Sequence, residues 1–192
     1  MNIAFVLGNG RSRLAVDLDS LRQYGKIYGC NALYREFTPD VLVATDPEIS
    51  EAIQKSRYAL KNVFYTRRPL PDLGAKALHE HHYGYSSGPN AVSIALRDGA
   101  HKMFLLGFDL NGVDQKFNNV YADTEFYKKS SMPETYYGNW VNQISQIIRK
   151  KPCQVIRVND TNVSPPEWDS IMRQVKMSDF IEAINNSKLE QL

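Results

Sequence analysis

Alternation of short apolar runs with amphipathic stretches predicts an α/β fold: a single Rossmann-like domain over residues 1–192, with a mostly parallel central sheet flanked by helices. Three observations carry that expectation. The apolar runs are rich in β-branched residues and nearly continuous, as suits strands covered on both faces. Segments with helical spacing separate them. With 192 residues, 43% hydrophobic and 23% charged, the chain is long enough to bury one sizeable core.

The first strand is expected at IAFVL (3–7), which runs straight into Gly8-Asn9-Gly10. A helical stretch, DLDSLRQY (17–24), leads to a second strand at KIYGCN (26–31) and a third at VLVAT (41–45). Asp46 before Pro47 is suited to cap the helix DPEISEAIQKS (46–56), with proline at its first position. NVFYT (62–66) is the fourth strand. In GPNAVSIALRDG (88–99), Val92, Ala95, Leu96 and the later Ala100 share one helical face, and Gly99 is placed to end the helix. KMFLLG (102–107) is the fifth strand; GNWVNQISQIIRKK (138–151) is a helix, and QVIRVN (154–159) the sixth strand.

Two regions depart from that rhythm. Residues 108–137 are polar and aromatic with no clear period, which marks a long active-site loop or lid. Tyr121, Tyr127, Tyr136 and Tyr137 argue for order there, because disordered segments are poor in aromatics. Residues 164–192 read as a helical tail, EWDSIMRQVKM followed by SDFIEAINNSKLEQL, whose Phe180, Ile181 and Ile184 can dock on the body or on another subunit.

The net charge of +2, from 23 basic and 21 acidic residues, argues against nucleic acid or an anionic membrane as partner. The longest apolar runs fall far short of the ~20 residues of a membrane helix. A strand starting at residue 3 leaves no room for a signal peptide, and Cys30 and Cys153 read as two buried thiols, so a cytoplasmic location is expected.

Ligands of open α/β sheets collect at the carboxyl ends of the strands. Those ends carry Gly8-Asn9-Gly10-Arg11-Ser12, Cys30-Asn31, Thr45-Asp46, Thr66-Arg67-Arg68 and Gly107-Phe108-Asp109, with Ser86-Ser87-Gly88 opening a helix. Glycines admit close backbone approach and helix N-termini favour anions, so both small-residue turns suit a phosphate. Arg11, Arg67 or Arg68 can add charge-assisted bonds. GNGRS is neither the dinucleotide fingerprint nor the lysine-bearing phosphate loop, and a plain tight turn explains it equally well. His79 and His82 lack a matching third ligand, so no metal site is expected, and His101 reads as a surface residue.

Taken in series, FVLGNGRS, YGCNALY, YSSGPNAVSIALRDGAHKMFLLGFDLNG and NVYADTEFY resemble the successive motifs of the bacterial lipooligosaccharide sialyltransferases over roughly residues 3–150. The first turn is similar, more distantly, to the hydroxymethylpterin pyrophosphokinase group. The resemblance implies a glycosyltransferase that uses a CMP-linked sugar and requires no cofactor or metal. It implies that Gly8, Asn9, Gly10, Ser12 and Asn31 hold the phosphate and ribose region. Ser86, Ser87 and Gly88 would cradle the phosphate or sugar carboxylate, and Gly107, Phe108 and Asp109 would line the nucleoside pocket. Tyr121 would contact the donor and Tyr136 would assist departure of the phosphate. The family's general-base histidine falls on Asn139, and an amide cannot accept the proton; Asp109, Asp123, Glu125 and His82 are the substitutes. The family's lid between the fourth and fifth strands is shortened to RRPLPDLGAKALHEHHYGY. Two other readings stay open: a pyrophosphokinase-like enzyme using ATP with Mg²⁺ on Asp46 and Asp109, and a nucleotide-binding protein without transfer activity. Family members form tetramers, which leaves room for a homo-oligomer here.

Overall fold

The nearly continuous apolar runs end up as eight parallel strands of one sheet in a computed structural model that describes residues 2–78, 84–161 and 163–192. The strands are β1 (Ile3–Leu7), β2 (Gly25–Cys30), β3 (Val41–Ala44), β4 (Phe64–Thr66), β5 (Lys76–Ala77), β6 (Lys102–Leu106), β7 (Gln154–Val158) and β8 (Arg173–Val175). Their order is β5-β4-β3-β2-β1-β6-β7-β8. The chain therefore winds outward from β1 to β5, then returns to place β6 on the other side of β1. That reversal makes the β1/β6 boundary a topological switch point, where open α/β sheets form a crevice at their carboxyl ends.

All five residues of β1 are buried, and alternate side chains enter different cores. Phe5 and Leu7 join Leu33, Phe104 and Phe180 on one face; Ala4 and Val6 join Val92, Leu105, Ile144 and Trp168 on the other. Helix α1 (Pro47–Lys55) and helix α5 (Met177–Asn185) contribute to the first core. Helices α2 (Ser87–Arg97), α3 (Gly138–Ile148) and α4 (Pro166–Asp169) contribute to the second. α2 ends as its sequence predicts: Gly99 takes φ +91° and Ala100 N–H reaches the Ala95 carbonyl at 3.1 Å.

The expectations differ from the structure in three places. Residues 17–24 make only a 3₁₀ turn at Asp19–Gln23. Within 167–177 the chain turns after α4 and forms β8, because pairing Val175 with Val158 gives β7 a second neighbour and buries Val175. β5 is a two-residue edge strand between β4 and α2, where the apolar pattern predicts none. Phe180 docks the tail on the chain's own sheet, against Phe5 and Phe104 with ring centroids 6.4 and 5.3 Å away. Among the described residues no helix is long and apolar enough to cross a membrane.

Candidate functional site

A cleft of about 300 Å³ opens at the switch point. Gly8–Gly10 and Gly107–Asp109 form one wall; Asn31, Asp46 and Ser86–Pro89 form the other, and Asn118, Glu134 and Trp140 close it from the long loop and α3. Such a volume is at the small end of the range for metabolite pockets.

The β1/β6 wall is made of two turns locked together. Gly8 N–H donates to the Leu106 carbonyl at 2.7 Å, and Gly10 N–H to that of Gly107 at 2.8 Å. A Cβ on Gly8 would lie 2.5 Å from the Gly107 oxygen, so the close approach requires glycine. The Asp109 carboxylate ties the turns together by accepting four hydrogen bonds, two on each oxygen. Ser12 N–H (3.1 Å) and Asn118 Nδ2 (3.0 Å) donate to Oδ2; Asn159 Nδ2 (2.9 Å) and the Ser12 hydroxyl donate to Oδ1. Behind it, buried Arg157 donates to the carbonyls of Phe108 (2.9 Å) and Asp109 (3.0 Å). Burial lowers the Arg157 guanidinium to about 10, with Asp109 opposing that shift.

Across the cleft the polar groups are less occupied. Asn31 ends β2 in the left-handed region (φ 54°), a conformation asparagine tolerates better than most residues and one that recurs at functional sites. Its Oδ1 accepts from Ser87 Oγ at 2.8 Å, while its Nδ2 has no partner among the described residues. Ser87 Oγ also accepts from Thr45 N–H at 3.0 Å, which fixes the start of α2. The N–H groups of Ser87 and Gly88 in that first turn likewise have no partner among the described residues. Asp46 adopts N-cap geometry for α1 but makes no side-chain cap bond, so its carboxylate stands exposed in the cleft. Asn9 Oδ1, from the first turn, is buried without a partner among the described residues. Cys30, also lining the cleft, is a free thiol pushed by burial up to about 12; Cys153 is free too and only half-buried.

Of the sequence-predicted residues, Gly8, Asn9, Gly10, Asn31, Ser86, Ser87, Gly88, Gly107, Phe108 and Asp109 line this one cleft. Ser12 acts through Asp109. Tyr121 does not reach the cleft: it is buried, its hydroxyl accepts from Arg13 Nη2 and donates to Glu36 Oε1, both at 2.6 Å, and burial raises its pKa. Tyr136 is 76% exposed, and neither it nor exposed Asn139 lines the cleft. Asp123 and Glu125 lie on the outside of the long loop, and His79 and His82 fall outside the described residues. Arg11 is exposed, and Arg67 and Arg68 line a different cavity. Sequence reasoning read Asp46 as a cap or a metal ligand and missed its free position; the polar strand end Thr45-Asp46 was the available signal. It also missed Arg13, whose buried Nε and Nη1 have no partner among the described residues.

No family model matches the chain, and no curated protein matches it. Among solved structures it is similar to the sialyltransferase CST-II, whose crystal structure is in complex with a trisaccharide acceptor and CMP. The TM-score is 0.51 at 14% identity, over 81% of this chain and 80% of that one. A likeness at that level shows a shared α/β fold.

Proposed function

We propose that the cleft binds the phosphate end of a nucleotide-activated sugar, of the CMP-linked class, and passes the sugar to an acceptor hydroxyl. One observation supports this most: the N–H groups of Ser87 and Gly88, the Asn31 Nδ2 and the Asp46 carboxylate, all free among the described residues, belong to residues that line one switch-point cleft. The three donors would stabilise the charge that builds on the leaving phosphate. The bond between anomeric carbon and phosphate oxygen breaks, its electron pair leaving with the nucleotide. The acceptor oxygen bonds to that carbon, and its proton passes to Asp46 as general base. No metal is needed on this route, since backbone and amide donors take up the developing charge.

Asp46, Asp109 and Glu134 also share the cleft, which is the observation that favours an ATP–Mg²⁺ enzyme instead. Against it, both Asp109 oxygens are already spent on four donors. A thermal-shift panel of CMP, CMP-sugars, UDP-sugars and Mg·ATP separates the readings. Binding at a hundredfold excess over Kd stabilises by ~2.7 kcal/mol. A shift with CMP and CMP-sugars is expected; a shift with Mg·ATP and none with CMP would overturn the proposal.

A further inference from the structure

Beside the main cleft lies a second cavity of about 220 Å³, and the two share Thr45 as a common wall. We propose that this cavity binds an oxyanion, a carboxylate or a phosphate, carried by the acceptor. Its place as an acceptor subsite rests on the nucleotide-sugar reading of the main cleft; anion binding rests on its own residues alone.

The floor carries a surplus donor. Ser50 and Thr66 are 4% and 1% exposed, and their hydroxyls bond to each other at 2.5 Å. Two hydroxyls bring two protons, and their mutual bond uses one. Gln54 Nε2, the other group on Ser50 Oγ at 3.5 Å, is itself a donor. Whichever hydroxyl donates to the other, the remaining proton has no acceptor among the described residues, and both side chains border the cavity. A buried hydroxyl without an acceptor is costly unless a ligand or water supplies one.

The rim supplies charge. Arg67 and Arg68 both line the cavity, and the loop that bears them is held by a buried side chain. Gln54 accepts from Leu70 N–H at 2.6 Å and donates to the Arg68 carbonyl at 3.2 Å. Arg67 Nη2 donates to the Tyr85 carbonyl at 2.9 Å, which orients its guanidinium, and Arg68 is exposed. Among the described residues the one carboxylate on the lining, Glu51, is paired with Lys55 Nζ at 2.5 Å. Two guanidiniums and a surplus hydroxyl proton form a donor set for oxygen anions, and the carboxylate beside them is neutralised by its lysine. An acceptor anchored here would extend past Thr45 toward Asp46, the group assigned to take its proton.

The test is a ¹H–¹⁵N titration of the full chain with two probes, inorganic phosphate and D-glucuronate, each repeated with CMP present. Saturable movement of the Thr66 and Leu70 amides with either probe, weakened by about tenfold in Arg68→Gln and in Thr66→Val, is expected. Response to phosphate alone points to a phosphorylated acceptor, and response to glucuronate alone to an acidic sugar; either supports the site. No movement with either probe, or movement unchanged in Arg68→Gln, overturns it. Gly10, Asn31 and Gly107 amides report CMP in the same samples, so failure of the main-cleft reading shows separately.

Discussion

Around Asp109, on the β1/β6 side of the cleft, donors and acceptors are spent on one another: Ser12, Asn118 and Asn159 saturate the carboxylate, and Arg157 fills the carbonyls behind it. Across the gap, the Asn31 amide, two N–H groups of α2 and the Asp46 carboxylate remain available. The glycine-rich turns that draw the eye in the sequence are therefore mainly scaffold, with Asn9 Oδ1 a buried side-chain acceptor left uncommitted among the described residues. The less conspicuous wall holds the groups a ligand can use. That division follows from topology: β1 and β6 are adjacent and their turns must pack together, whereas the gap opens toward β2, β3 and α2.

The largest expected effect comes from breaking the scaffold wall. Asp109→Ala leaves the Ser12 N–H, the half-buried Asn118 amide and the buried Asn159 amide without their acceptor, at about 1–3 kcal/mol for the buried donor and less for each of the other two. Urea denaturation should show a total loss of about 3 kcal/mol or more, together with loss of ligand-induced stabilisation. A loss below about 1 kcal/mol would mean that the turns hold together without the carboxylate.

Asp46→Asn should do the opposite: stability stays within about 0.5 kcal/mol, because the side chain makes no cap bond. Sugar transfer should fall by about 10²–10⁴-fold with the CMP thermal shift retained, the pattern of a lost general base. Full activity in that variant would remove Asp46 from the mechanism. Asn31→Gly probes binding without straining the backbone, since glycine keeps the φ of 54°; it removes the free Nδ2 together with the acceptor of Ser87 Oγ. CMP affinity should weaken by about tenfold, and an unchanged thermal shift would place the phosphate elsewhere.

How legible all this was in the sequence depended on range. β1, β6 and β7 appear within a residue of where their apolar runs sit, because a strand buried on both faces writes itself as a local pattern. β8 does not, since three residues with one buried side chain become a strand only when β7 offers an edge. The strand-end turns were visible, but their wiring was not: Asn159 meets Asp109 across 50 residues, and no local spacing signals that. Tyr121 shows the converse error. Its motif suggested a ligand contact, yet its hydroxyl is consumed by Arg13 and Glu36, partners 108 and 85 residues away in sequence.

The smallest effect is expected at Asn139. It sits exposed in the first turn of α3, and its neighbour Trp140, not Asn139, reaches the cleft. Asn139→Ala should leave stability within about 0.5 kcal/mol and the CMP shift intact. Asn139→His is the sharper variant, because it restores the base that the resemblance expects at this position. A histidine there would titrate in solvent, away from the Asp46 carboxylate and the free donors of Asn31 and α2, and so should add nothing to transfer. If it raised the rate instead, the start of α3 would have to carry residue 139 inward during turnover, and the base would lie on the α3 side of the cleft rather than on the wall of Asp46.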